Sequence, residues 1–148
     1  MRYNGNMSKL ITLDQLKPKS KKVFLRVDYN VVEDGKVIDE FRISQSVETI
    51  KELLKSKCSI ILASHNGRPD GKPDPKLSLR PVAQVLADLV KKPVGFVPDC
   101  IGKDVAEEAN NLKPGELLLL ENLRFHDAEE KNNAAFARSL ANLADVYV

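Results

Sequence analysis

The sequence predicts an α/β fold, namely an open, mostly parallel, doubly wound sheet with helices on both faces. Short apolar runs such as residues 60–63 and 117–120 do not alternate with polar residues, which is typical of strands buried on both faces. Segments with helical spacing separate these runs, and such alternation favours parallel strands joined by right-handed crossovers. The chain has 148 residues, of which 43% are hydrophobic and 5% aromatic. This length and composition predict one globular domain with an aliphatic core.

The elements are predicted in the order strand, helix, repeated until a fifth strand. The strands are expected at residues 23–27, 60–63, 94–97, 117–120 and 146–148. The helices are expected at residues 44–56, after a cap at Ser78, at 104–110 and at 134–143. Residues 1–22 read as a polar lead-in, and residues 69–75 hold too many turn-forming residues for regular structure.

Composition excludes several classes of function. A formal net charge of +2, from 23 basic and 21 acidic residues, does not indicate a nucleic-acid partner. No apolar run reaches the length of a membrane span and no signal peptide is evident, so we expect a cytoplasmic chain without a membrane partner. Cys58 and Cys100 lack the spacing of zinc ligands or of a disulfide framework, which predicts buried free thiols and no metal.

Polar and cationic residues follow the apolar runs. Asp28 and Asn30 follow the first predicted strand, His65 and Arg68 follow the second, and Arg124 follows the fourth. Arg42 lies on the predicted connection after the first strand. Because parallel strands end at the same edge of a sheet, we expect these side chains to converge there. Arginine pairs well with the oxygens of phosphate and carboxylate, so the pattern predicts an anion site.

Three segments carry a family resemblance. R-V-D-Y-N at residues 26–30, S-H-N-G-R-P at 64–69 and E-N-L-R-F at 121–125 resemble, in this order, motifs of the substrate half of phosphoglycerate kinase. The likeness runs from about residue 10 to residue 148, whereas enzymes of that family are well over twice as long. The resemblance therefore implies that residues 23–148 are an incomplete substrate-binding domain, truncated before its last strand, with the nucleotide-binding domain absent.

The resemblance also implies an activity and its partners. The family works in glycolysis, transferring a phosphoryl group reversibly between 1,3-bisphosphoglycerate and ADP to give 3-phosphoglycerate and ATP. Mg-ATP and Mg-ADP would be bound by the absent domain, with no cofactor in this chain, which is expected to be inactive alone. The full-length enzyme is expected to be a monomer, and the fragment could associate through an exposed edge strand.

Site residues follow from the resemblance, residue by residue. Asp28 and Asn30 would hydrogen-bond the hydroxyl and carboxyl region of the glycerate, and Tyr29 would add backbone contacts between them. Arg42 would lie near the reacting end, where it neutralises the phosphoryl group in transfer. These roles make Arg42 the candidate catalytic residue.

The phosphate of the substrate would be bound from the second and fourth strands. His65, Arg68 and Arg124 would contact it, and Gly67 would let the backbone approach closely. Asn66 belongs to the same turn and is counted with the substrate-binding residues. It stands where leucine is common in the family, and Val32 stands where proline is usual. Neither position supplies a ligand side chain in the family, so these departures concern the rigidity of the loops.

Other residues near these motifs have structural interpretations. Arg26 is predicted to pair with a carboxylate, His126 to be structural, and residues 129–131 to form a solvated helix start. One alternative function remains open, a stand-alone anion-binding module without catalysis. A nucleotide-dependent dehydrogenase is disfavoured because no G-x-G-x-x-G follows the first strand.

Overall fold

The fold is a five-stranded parallel sheet between two layers of helices, as predicted. The structure is a computed structural model that describes residues 12–148. Its strands are β1 Lys22–Arg26, β2 Val32–Glu33, β3 Lys36–Val37, β4 Ser59–Ala63, β5 Val94–Val97, β6 Leu117–Leu120 and β7 Val146–Tyr147. Its helices are α1 Leu13–Leu16, α2 Glu40–Gln45, α3 Val47–Lys55, α4 Arg80–Val90, α5 Lys103–Asn111 and α6 Ala134–Ala141. Short 3₁₀ turns form at Pro75–Leu77 and Leu123–Phe125.

The strand order in the sheet is β5-β6-β4-β1-β7, and every pairing is parallel. β4 is the central strand, between β6 and β1, which explains why β4 is buried along its whole length. β7 lies at one edge and pairs only with β1, through Val146 opposite Val23 and Tyr147 opposite Phe24. All five predicted strands are thus present within one or two residues of their expected bounds.

Alternate residues of the central strands face two separate aliphatic layers. On one face, Leu25 and Leu62 pack with helices α3 and α4. On the other face, Phe24 and Ile61 pack with residues of α5 and α6. Burying each such side chain stabilises the fold by about 1.5–3 kcal/mol, so two-sided burial accounts for the unbroken apolar runs in the sequence.

The predicted helix at residues 44–56 is wrong in its bounds, because two helices, α2 and α3, occupy this region. α2 begins earlier, since the side chain of Asp39 accepts hydrogen bonds from the backbone N–H groups of Phe41 and Arg42. Ser46 separates the helices, and its hydroxyl is bonded to the carbonyl of Ile43 and the hydroxyl of Tyr29. Arg42 therefore lies on a helix and not on a loop.

Two further differences concern local structure. β2 and β3 form an antiparallel hairpin, with Val32 opposite Val37, where the sequence predicts a loop. Ser78 is not the residue that begins α4, because Leu79 occupies the cap position. The hydroxyl of Ser78 instead donates a hydrogen bond to Glu121 at 2.6 Å, while accepting one from the N–H of Arg80 at 3.2 Å.

The predicted lead-in of residues 1–22 lies partly outside the described residues, which begin at residue 12. Within the described part, the N–H of Thr12 donates to Oε1 of Gln15 at 3.2 Å and the N–H of Gln15 donates to the carbonyl of Thr12 at 3.0 Å, at the start of α1. No helix in residues 12–148 is both long and apolar enough to span a bilayer.

Candidate functional site

The candidate site lies at the carboxyl edge of the sheet, where the loops after β1, β4 and β6 meet. Residues 27–31 leave β1, residues 64–68 leave β4, and residues 121–126 leave β6. These strands are neighbours in the order β6-β4-β1, so their loops are brought together by the sheet itself. The N–H of Leu123 donates to the carbonyl of Ser64 at 3.1 Å, which joins two of the loops directly.

Two buried asparagines, Asn66 and Asn122, fasten these loops to one another. The N–H of Asn66 donates to Oδ1 of Asn122 at 3.0 Å, and Nδ2 of Asn122 donates back to the carbonyl of Asn66 at 2.7 Å. Asn122 also bonds the N–H of Arg124 and the carbonyl of Leu77. The side chain of Asn66 bonds both backbone groups of Val32. A substitution of leucine at 66 would leave those two groups of Val32 without their partner.

Gly67 links the loops after β1, β4 and β6. Its N–H donates to Oδ1 of Asn30 at 2.8 Å, and its carbonyl accepts from Nη1 of Arg124 at 3.1 Å. Its φ of +63° is in the left-handed region, and an added Cβ would lie 2.9 Å from Cδ2 of Leu77. A residue with a side chain would therefore be strained here by the backbone angle, and its Cβ would have to displace the end of the Leu77 side chain.

Arg124 is held in place by carboxylates. Its Nε lies 3.3 Å from Oε2 of Glu129 and 3.5 Å from Oε1 of Glu130. Glu129 also pairs with Arg26, whose Nη2 lies 2.8 Å from Oε1. Burial opposes ionisation of Glu129, but the hydrogen bonds and charges of Arg26 and Arg124 outweigh it and lower its pKa. The predicted carboxylate partner of Arg26 is confirmed. Residues 129–131 form a turn before α6 and not a helix start, and Glu129 is largely buried, whereas Glu130 and Lys131 are exposed as predicted.

Arg42 is held more loosely on the other side of the site. Its Nη1 lies 3.2 Å from Oδ2 of Asp28, and its Nε lies 3.5 Å from Oδ2 of Asp39. Both partners are substantially exposed, so each pair contributes about 0–1 kcal/mol. An incoming anion can displace these carboxylates from Arg42 at little cost.

His65 lies between the two groups of charges. Burial lowers its pKa, with further lowering by the positive charges of Arg124 and Arg26 and partial compensation by Glu129 and Asp28. The imidazole is consequently neutral at pH 7 in the free protein. An anion bound beside His65 would offset the arginine charges and raise its pKa again.

Three predicted site residues are placed differently from the rest. Tyr29 is fully buried, and burial raises the pKa of its hydroxyl to about 12. The N–H of Tyr29 donates to the hydroxyl of Ser64, and its carbonyl accepts from the N–H of Val31. Its backbone groups are thus already bonded within the chain. Asn66 is buried as a fastener between loops. Arg68 is exposed and forms no ion pair with residues 12–148. Substrate contacts by these three, as by all the other predicted site residues, remain predictions.

The geometry thus joins Arg42 and Arg124 through an unbroken series of contacts. Arg42 bonds Asp28, Asp28 accepts from the N–H of Asn30, Asn30 bonds Gly67, and Gly67 bonds Arg124. Guanidinium groups at both ends of this series suit a small molecule with anionic groups at both ends. The contribution of Glu129 was missed from the sequence, where only an unpaired Arg26 within a strand pointed to a distant carboxylate.

Comparison with known proteins identifies the family. The family model described as phosphoglycerate kinase matches residues 13–148. The chain belongs to this family. Phosphoglycerate kinase of Leptospira biflexa is 52% identical over 141 residues, which are 95% of this chain and 36% of that protein. Phosphoglycerate kinase of Anaeromyxobacter dehalogenans is 51% identical over 143 residues, covering 94% of this chain and 36% of that protein.

Solved structures of the phosphoglycerate kinase family share the fold. The crystal structure of the Pyrococcus horikoshii enzyme matches with a TM-score of 0.82 at 29% identity, covering 93% of this chain and 36% of that one. The structure from Coxiella burnetii matches with a TM-score of 0.78 at 31% identity, covering 91% and 33%. This chain therefore spans about a third of the length of the family members it matches.

Proposed function

We propose that this chain supplies the glycerate-binding part of a phosphoglycerate kinase, which transfers a phosphoryl group reversibly between 1,3-bisphosphoglycerate and ADP. The observation that carries the proposal is the series of contacts from Arg42 to Arg124 across the carboxyl edge of the sheet. It provides two cationic ends for a three-carbon acid that is anionic at both ends. Family membership supports the reaction class.

The two ends have different tasks in this proposal. Arg124 is partly buried and firmly paired, so it binds the non-reacting phosphate of the substrate, assisted by His65 and Arg68. Arg42 is released easily from Asp28 and neutralises charge on the phosphoryl group that is transferred. Once Arg42 is released, Asp28 accepts a hydrogen bond from the substrate hydroxyl and orients it. Catalysis of this kind consists mainly of alignment and charge neutralisation.

Residues 12–148 offer no fitting site for the nucleotide. Gly71-Lys72 and Gly102-Lys103 lack the upstream glycine of a phosphate-binding loop. The one group of three potential metal ligands in residues 12–148 includes a buried cysteine, whereas Mg²⁺ takes oxygen ligands. We therefore assign Mg-ADP and Mg-ATP to the part of the longer family members that this chain does not cover. A cytoplasmic location and a monomeric full-length enzyme belong to the same proposal.

The proposal predicts binding without turnover. Calorimetric titration of the 148-residue chain with 3-phosphoglycerate is expected to show one site. Arg124→Ala and Arg68→Ala should each weaken it about tenfold or more, since a hydrogen bond to a charged group is worth about 1.5–3 kcal/mol. Arg138→Ala, an exposed arginine on α6, is the matched control and should bind normally.

Two results would contradict this assignment, and a third would restrict it. Unchanged affinity in both Arg124→Ala and Arg68→Ala would remove the phosphate end from this edge of the sheet. Steady-state formation of ATP from 1,3-bisphosphoglycerate and Mg-ADP by the purified chain would show that it is catalytically competent alone. Binding that survives in both variants but is lost in Arg42→Ala would restrict the site to its Arg42 end.

A further inference from the structure

Asp99, Cys100 and His126 converge next to the candidate site, on the side of β5. Each offers one ligand atom, and these three atoms lie within 4.8 Å of one another. A ring nitrogen of His126, Nε2, lies 2.6 Å from Oδ1 of Asp99. Asp99 and Cys100 follow the end of β5, whereas His126 follows the turn after β6, and these strands are neighbours. Spacing along the sequence gave no sign of this cluster because the sheet brings its two halves together.

The thiol of Cys100 is the unusual member. Cys100 has no exposed surface, and its Sγ forms no hydrogen bond with any residue in the described range 12–148. Cys58 is equally buried, but its thiol donates to the carbonyl of Pro18. The Sγ of Cys100 is thus an unpartnered buried group placed beside a carboxylate oxygen and an imidazole nitrogen.

The charges around this thiol favour a cation. Asp99 offers a carboxylate oxygen within 4.8 Å of the Sγ of Cys100, and Glu121 lines the same cleft as Asp99 and His126. The same carboxylates attract a positive ion. Arg80 lines the neighbouring cleft and opposes this attraction, although its guanidinium is stacked on Phe96 at 4.5 Å.

We propose that Asp99, Cys100 and His126 bind one divalent cation of intermediate softness, such as Zn²⁺. Sulfur, nitrogen and carboxylate oxygen together suit Zn²⁺ and exclude Ca²⁺ and Mg²⁺ as preferred ions. Asp99 and His126 line an open cleft of about 510 Å³, which leaves room for water as a fourth ligand. On binding, the Cys100 thiol loses its proton to solvent as the sulfur–metal bond forms.

The required adjustment is small. In a tetrahedral site with metal–ligand distances of about 2.0–2.3 Å, ligand atoms are about 3.3–3.7 Å apart. The hydrogen bond of 2.6 Å between His126 and Asp99 must therefore lengthen by about 0.7–1.1 Å. Asp99 is half exposed at its side chain and can move into the cleft without disturbing the core.

Cobalt provides a direct test, because a thiolate bound to Co²⁺ gives a charge-transfer band in the near ultraviolet. Titration of the reduced 148-residue chain with Co²⁺ is expected to give this band at one ion per chain, and Zn²⁺ should displace it. Cys100→Ser should abolish the band and weaken Zn²⁺ binding by more than about 100-fold, since even outer-shell partners are worth about 10–100-fold. Cys58→Ser is the matched control and should retain both.

The other two ligands have their own variants. His126→Gln should weaken Zn²⁺ binding about as strongly as Cys100→Ser, whereas His65→Gln should leave it unchanged. If Cys100→Ser does not fold by circular dichroism, Asp99→Asn decides the matter, because its side chain is half exposed. Absence of the charge-transfer band in the native chain, its loss with Cys58→Ser, or unchanged Zn²⁺ affinity in Asp99→Asn would each overturn the proposal.

Discussion

Asn122→Ala offers the most direct test of how the loops of the candidate site are held. The side chain of Asn122 makes four hydrogen bonds, to both backbone groups of Asn66, to the N–H of Arg124 and to the carbonyl of Leu77. Asn122 is 1% exposed, so water cannot replace these bonds without opening the loops. Each bond contributes about 0.5–1.5 kcal/mol, and buried groups left unpaired cost about 1–3 kcal/mol each.

These magnitudes predict that Asn122→Ala lowers the free energy of unfolding by about 3–5 kcal/mol. If the free energy of unfolding falls by about 2 kcal/mol per molar urea, the urea concentration at the midpoint of unfolding should fall by about 2 M. Asn122→Asp should destabilise the fold at least as much as Asn122→Ala. It keeps Oδ1 as an acceptor but directs a second carboxylate oxygen at the carbonyls of Asn66 and Leu77.

The control is Asn142→Ala, an exposed asparagine at the end of α6, which is expected to cost under about 1 kcal/mol. A loss of less than about 1 kcal/mol in Asn122→Ala would refute the reasoning. So would an Asn122→Asp variant as stable as the native chain, because the two donated bonds would then have no value.

Three further outcomes are expected. Glu129→Gln should lower the free energy of unfolding above pH 4.5, where the native Glu129 is ionised and paired with arginines. Below the lowered pKa of Glu129 the native carboxyl is protonated, so the variant and the native chain should be equally stable. A difference between their urea midpoints that persists at this low pH would contradict the prediction. The affinity for sulfate should rise as the pH falls from 6.5 through the lowered pKa of His65, because the imidazole becomes charged. His65→Gln should remove this rise. The same pH dependence in the variant would show that His65 does not cause it. Gly67→Ala should destabilise the chain by about 1–2 kcal/mol through its left-handed backbone, and an unchanged denaturation midpoint would show that the loop adopts another conformation.

The strands of the sheet could be predicted because their signal is local. Runs such as residues 60–63 and 117–120 are apolar throughout, and only two-sided burial explains that pattern. The shared edge for the residues that follow β1, β4 and β6 could be predicted from parallel pairing alone, whereas the place of Arg42 also depends on α2. These parts of the prediction depend on sequence order and strand direction, both of which are visible in the chain.

The rest depends on contacts between distant residues. The break at Ser46 leaves the backbone close to helical, and its hydroxyl is used by Tyr29, 17 residues away. The hairpin of β2 and β3 has two residues in each strand, too few for a detectable alternation. Glu129 joins Arg26 across 103 residues. No local pattern could have indicated which carboxylate forms an ion pair with Arg26.

The carboxylates that hold Arg42 and Arg124 have a consequence for how an anion finds this pocket. Asp28 and Asp39 cancel much of the field of Arg42, as Glu129 and Glu130 do for Arg124, and the whole chain carries a formal charge of only +2. Arg68, which is exposed and forms no ion pair with residues 12–148, supplies the uncompensated charge at this edge, and its field is largely screened beyond a Debye length of about 8 Å. An anion therefore reaches the pocket mainly by diffusion and replaces the carboxylate partners of the arginines only on contact. The association rate should vary little with ionic strength.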